Sequence, residues 1–277
     1  MVLIASLVTS CSLIQTTYNN APVLTIFWLD DYFSFTQAQN LALKPALQKL
    51  HQWHRQTQLS SYIKLLKSMQ TSLANQQVSA DEVCVRLDEV KLKIHTLQLE
   101  SIPIIVEMAP QLSAKQLTRF QIKLAERAEK WKTDFWQETK QEQVAERLEK
   151  AEDFVEKIYG SLSDAQLTLL KQRLIEANIN PAISYKEIER RNEDALSIVS
   201  GLQNPKLNPD EKTQLVKAGF DRIQKSPNQT YQTYVKALTN HTCQTISDLH
   251  ASTNDKQKLH AKNWLDDYIA QITALQI

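Results

Sequence analysis

Apolar residues recur at three- and four-residue spacing along almost the whole chain, the pattern of amphipathic helices with one buried face. Hydroxyl residues followed three positions later by Glu or Gln mark helix starts at Thr36–Gln39, Ser79–Glu82, Ser113–Gln116, Ser163–Gln166 and Ser184–Glu187. Proline behind a capping side chain marks two more, Asn208-Pro209 and Ser226-Pro227. Gly160 and Gly201 stand where helices should end. The pattern predicts about ten helices, at 21–32, 36–57, 60–76, 80–99, 102–109, 114–159, 164–178, 182–201, 209–225, 227–250 and 254–275, with Pro45 kinking the second.

The segment 114–159 stands out. Leu117, Phe120, Leu124, Ala128, Trp131 and Phe135 form one apolar stripe, and Val144, Leu148, Ala151, Val155 and Ile158 another. Between them 137–143 is polar on all sides. One uninterrupted helix would run roughly 65–70 Å at 1.5 Å per residue. It either breaks near 137–143 or bridges two lobes through solvent. Because no Gly or Pro interrupts it, the bridge is expected, joining an N-terminal lobe at 11–136 to a C-terminal lobe at 137–277.

Two short stretches recur. Residues 112–118, LSAKQLT, return as LSDAQLT at 162–168, and Trp28-Leu29-Asp30-Asp31-Tyr32 returns as Trp264-Leu265-Asp266-Asp267-Tyr268. Two copies fall short of a repeat architecture, so both read as reused helix starts and packing anchors rather than a duplication.

Composition sharpens the class to all-α. Only 3 of 277 residues are glycine, and glycine is the residue that sheets and loop-built sites need for tight turns. With 32 basic against 31 acidic side chains, the net charge of +1 demands no polyanion, so no nucleic-acid partner is expected.

Residues 1–10, MVLIASLVTS, are uncharged and largely apolar, and Cys11 follows Val8-Thr9-Ser10. An aliphatic residue at −3, a small one at −1 and then cysteine resembles a bacterial lipobox. That pattern makes 1–10 a signal peptide cut before Cys11, whose thiol, through a thioether, and new amino group receive acyl chains such as palmitate. The basic residues that usually open such a peptide are missing, so its start is expected upstream; a frayed apolar end with a buried cysteine is the other reading. Ser12 favours the outer membrane. Cys84 and Cys243 remain, an even number that an oxidising periplasm would allow to pair. Two buried thiols are the alternative.

Little else carries chemistry. His51 and His54 lie three apart on one helix but lack a third ligand, so no metal is expected. Asp30-Asp31 and Asp266-Asp267 are adjacent on helices, about 100° apart, and do not converge as an acid–base pair would. No nucleophile elbow or phosphate-cradling glycine loop is present, and no cofactor is expected.

Taken together, the lipobox at Cys11, Tyr18-Asn19-Asn20 leading to Trp28-Leu29-Asp30-Asp31-Tyr32, Leu50-His51-Gln52-Trp53-His54-Arg55, Val83-Cys84, Ile158-Tyr159-Gly160, Cys243 and His250-Ala251-Ser252-Thr253 resemble a family of Gram-negative lipoproteins known only as a domain of unknown function. The resemblance implies a helical envelope lipoprotein with Cys84 and Cys243 matching the family's cysteines, and it implies no activity. The expected function is non-enzymatic: an elongated helical bundle, lipid-anchored to the membrane and facing the periplasm, binding a client protein as a chaperone or within an envelope complex. An enzyme acting on envelope polymer or lipid through His51 and His54, and a structural spacer, are the rivals.

Overall fold

A computed structural model describes residues 9–136 and 139–276, with side chains from residue 14 on. The described residues form an elongated all-α bundle. Its helices are α1 (Thr9–Asn19), α2 (Ala21–Phe33), α3 (Gln37–Thr57), α4 (Leu59–Leu73), α5 (Ala80–Met108), α6 (Ala114–Phe135), α7 (Lys140–Tyr159), α8 (Asp164–Glu176), α9 (Pro181–Leu202), α10 (Pro209–Gln224), α11 (Gln229–Ala251) and α12 (Asp255–Ala274). A single 3-10 turn, Ala109–Gln111, follows α5.

The long central helix exists, but elsewhere than expected. The segment 114–159 breaks: α6 ends at Phe135, Trp136 leaves helical geometry at φ −115° and ψ 67°, and α7 starts from a capping box at Thr139 and Glu142. The polar run that suggested a solvent bridge thus contains its own start signal, which satisfies the first N–H groups of a new helix. The 29-residue α5 is the long element instead, fusing the two segments expected at 80–99 and 102–109 and running through Pro103. Proline inside a helix costs about 3 kcal/mol. Burial of Ile102, Ala109, Leu202 and Val216 in one core cluster offsets it, with Ile198 and Phe220 packed alongside.

α5 organises the rest. It packs on α3 and α10 and on α11, while α4 packs on α12 and α6 on α9. Each of the pairs α5–α10, α5–α11, α4–α12 and α6–α9 joins a helix before residue 136 to one after it, so the two halves of the chain interleave. A second core forms where Leu43, Leu47 and Met108 meet Ile26 and Leu29 of α2. Gly219 permits close approach of α10 to α9, since a Cβ there would lie 2.2 Å from Ile198 Cδ1. Gly160 ends α7 with φ +75°, as expected of a C-terminal glycine.

Other boundaries differ in instructive ways. Gly201 lies inside α9, which ends at Leu202. Asn180, not Ser184, caps α9, with Pro181 at its first position; Asn228, not Ser226, caps α11. The two residues misread as parts of caps bond each other: buried Ser226 donates from Oγ to the Glu187 carboxylate at 2.8 Å. Glu187 also accepts from Arg190 and Arg191, a buried carboxylate saturated with donors.

The recurring LSxxQLT stretches gain a physical role. Gln39 and Gln116 donate to each other's side-chain oxygens at 3.2 and 2.8 Å, and Gln166 and Gln257 do the same at 3.0 and 2.9 Å. Each is the fourth residue of a capping box, so its oxygen also accepts the capping residue's N–H. Each amide nitrogen also donates to the carbonyl two residues before the partner's cap, at Gln111, Ser34, Ser252 and Ser161. Two pairs of helix starts are clasped identically: α3 with α6, and α8 with α12. The Trp-Leu-Asp-Asp-Tyr stretches do not share this placement, since one precedes its clasp in α2 and the other follows its clasp within α12. They are packing anchors, with Trp28 on Tyr32 and Trp264 on Tyr268.

Candidate functional site

The bundle leaves a cavity of about 790 Å³ between α4, α5, α6, α7, α8, α9, α11 and α12, within the ~300–1,000 Å³ range of ligand sites. Its walls are apolar because each bordering helix turns an apolar stripe inward: Met69 and Leu73 from α4, Leu87 from α5, Leu174 from α8, Leu249 from α11 and Trp264 from α12. Apolar residues of α6 and α7 complete the lining, Trp131 and Phe135 on one helix, Val155 and Ile158 on the other. Phe154 and Ile246 line it while 61% and 37% exposed, which marks where it meets solvent.

Polar groups in this lining fall into two kinds. Tyr159 and His250 are buried and bonded to each other at 3.0 Å, and the other ring nitrogen of His250 donates to the Asn75 carbonyl at 3.0 Å. Burial pushes the Tyr159 hydroxyl up to about 12 and holds the His250 imidazole below its ordinary range, so both are neutral near pH 7. The second kind is cationic. Arg86 pairs with Glu89 at 2.6 Å, and Arg173 pairs with Glu176 at 2.9 Å and with Asp248. Yet the Nε of each is buried without a hydrogen-bond partner among the described residues. Arg147, also in the lining, reaches the Phe135 carbonyl at 3.5 Å and forms no ion pair among the described residues. An apolar volume edged by incompletely satisfied guanidinium groups suits an apolar guest carrying carboxylate or phosphate at its margin.

Beside the cavity, Cys84 of α5 and Cys243 of α11 form a disulfide, with Cα atoms 5.5 Å apart. Cys243 is fully buried, and its neighbour Thr242, like Val83 beside Cys84, lines the cavity. The bond therefore fixes two walls against each other. Of the stretch 1–10 expected to be a signal peptide, residues 1–8 lie outside the described residues and 9–10 open α1; the side chain of Cys11, expected to carry the lipid, lies outside the described side chains.

His51 and His54 do not line the cavity. His54 sits between two tyrosines, 2.9 Å from the Tyr18 hydroxyl on one ring nitrogen and 2.9 Å from the Tyr62 hydroxyl on the other. His51 packs on the Tyr18 ring at 4.6 Å. Desolvation lowers both imidazoles, helped at His51 by Arg55 and at His54 by His51. This is a joint between α1, α3 and α4. No group of three or more His, Cys, Asp or Glu that could hold a metal occurs among the described residues. The paired aspartates diverge, as adjacent helical positions must. Asp30 accepts the Phe35 N–H, Asp31 pairs with Lys123 and Arg119, and Asp266 takes Lys262 and Gln70.

Sequence reading missed the cavity altogether. Its lining comes from eight helices, and each residue looks, in sequence, like ordinary core.

Residues 31–211 match the model of a family of unknown function, DUF6279, and the chain belongs to that family. No curated protein and no solved structure matches the chain.

Proposed function

We propose that this DUF6279 member is a lipid-tethered protein of the bacterial cell envelope that binds rather than catalyses. Its cavity shields an apolar segment of a client polypeptide, in a chaperone or assembly role. The observation that carries this reading is the apolar cavity itself, about 790 Å³ and open to solvent beside Phe154. A helical or extended segment can seat apolar side chains in such a groove while its acidic flanks meet Arg86, Arg147 and Arg173. The lipobox at Cys11 supports the tether, and Ser12 favours the outer membrane. The Cys84–Cys243 disulfide suits an oxidising compartment. No helix among the described residues is long and apolar enough to cross a membrane. Two or three acyl chains hold a protein durably, at about 0.8 kcal/mol per buried CH₂.

The test is suppression of aggregation of unfolded envelope proteins by the purified protein. Near-stoichiometric protection is expected, with loss of protection in Leu174→Glu, which places a charge in the cavity wall, provided circular dichroism shows that variant folded. Equal protection by the folded variant would move binding away from the cavity. No protection of several clients, together with no partner captured by crosslinking in cells, overturns the reading.

A further inference from the structure

A surface helix shows one apolar face, and a helix apolar on both faces is covered on both. α2 is apolar on both faces. Its inner side is accounted for: Ile26 and Leu29 pack against Leu43 and Leu47 of α3, and Phe33 stacks on Phe120 of α6 with ring centroids 4.7 Å apart. The outer side is not. Val23, Leu24, Phe27 and Trp28 are 54%, 47%, 80% and 54% exposed, at positions i, i+1, i+4 and i+5 of a single stripe. Leu24 and Trp28 continue into a shallow groove shared with Ile14 and Tyr18 of α1, so the uncovered surface runs across both helices.

The identity of what covers this face follows from size, composition and place. Residues 23–28 span roughly 8–9 Å of helix at 1.5 Å per residue. Four side chains and a shallow groove fall well short of the roughly 800 Å² per partner of a stable protein interface, which argues against a second copy or a folded partner. A lipid surface asks for no such area or shape, and exposed Trp and Phe are the side chains that favour its interfacial zone. Charge agrees. Of the two neighbouring carboxylates, Asp31 is paired with Lys123 and Arg119, and Asp30 keeps its charge while accepting the Phe35 N–H. At the α1 end, the Arg55 guanidinium lies over the Tyr18 ring and donates to Asn19, leaving its charge without a carboxylate partner among the described residues. Place agrees too: the backbone of α1 leads from position 11 into this surface, reaching Ile14 three residues on.

We propose that the outer face of α1 and α2 lies in the headgroup zone of a phospholipid bilayer, Phe27 and Trp28 deepest, holding the bundle in one orientation on the membrane. This rests on the tether at Cys11 proposed above and adds a second point of attachment to it.

The test uses the full chain, with acylation read from its intact mass, in vesicles of phosphatidylethanolamine and phosphatidylglycerol. Phe27→Cys and, as a reference, Phe154→Cys each receive a nitroxide; the native pair Cys84 and Cys243 is bonded and does not compete. The label at 27 is expected to collide several-fold more with oxygen than with a water-soluble nickel complex, while the label at 154 shows no such preference. Equal access of the nickel complex to both labels in acylated protein overturns the proposal and leaves the tether standing. Close label-to-label coupling at 27 assigns the face to a second copy and also overturns it. If the intact mass shows no acyl chain, the tether fails. The same measurement with added vesicles, on protein carrying Cys11→Ser so that position 27 holds the one free thiol, then decides the face alone: protection at 27 sustains it, and exposure ends it.

Discussion

A glutamine amide has one oxygen that accepts twice and a nitrogen that donates twice, and Gln39, Gln116, Gln166 and Gln257 each fill all four places at no more than 7% exposure. This separates two roles that sequence merges. A capping box accepts Glu or Gln equally, whereas the clasp needs the amide nitrogen. Gln166→Glu keeps the cap of α8 but removes two donors and places a carboxylate against the Gln257 oxygen. A loss of roughly 2–3 kcal/mol is expected at pH 7, the scale of an unsatisfied buried group. Glu82→Gln, in the solvent-exposed box of α5, should stay within about 0.5 kcal/mol. Urea unfolding of the two variants makes the comparison, and equal effects would mean the clasp adds nothing beyond capping.

Between elements, imidazoles act as joints. His250 links α11 to Tyr159 of α7 and to the Asn75 carbonyl after α4, and His54 links α3 to Tyr18 and Tyr62. Burial depresses both in the folded state, so between the folded value and about 6.5 the unfolded chain binds more protons. Their contribution is complete above pH 6.5 and is lost as pH falls below it. Glu187 and Asp194 are also depressed, each by its arginine partners acting against desolvation, but their contribution is lost only below the ordinary carboxylate range. The melting temperature is therefore expected to hold from pH 8 to 7 and to decline from 6.5 to 5, ahead of the acid transition; a flat profile to pH 5 would show that these joints carry no linkage. The elements these joints connect were mostly legible, because local chemistry sets helix starts: five of the marked starts, at Thr36, Ser79, Ser113, Ser163 and Asn208, cap where expected. The misreadings arose where two local signals competed, Asn180-Pro181 prevailing over Ser184, or where burial overrode a local penalty, as at Pro103. The cavity was illegible for a different reason. Its existence depends on which apolar stripes fail to meet, a property of the packed helices and of no single segment.

At the scale of the molecule, the α5–α11 disulfide closes a loop across a sequence separation of 159. Chain-entropy reasoning gives a bond of that span roughly 5 kcal/mol. Adding reductant during urea unfolding should shift stability by about that amount, and an unchanged midpoint would show the bridge to be superfluous to the folded state.

That bond also makes the stretch from Cys84 to Cys243 a covalent ring, with α1–α4 leaving it at one side and α12 at the other. A protease acting on the ring cuts somewhere between Cys84 and Cys243. A single cut there severs the polypeptide without dividing the molecule. Whatever holds the N-terminus still holds the carboxyl-terminal helices, and release of the pieces requires a reductant as well as a protease.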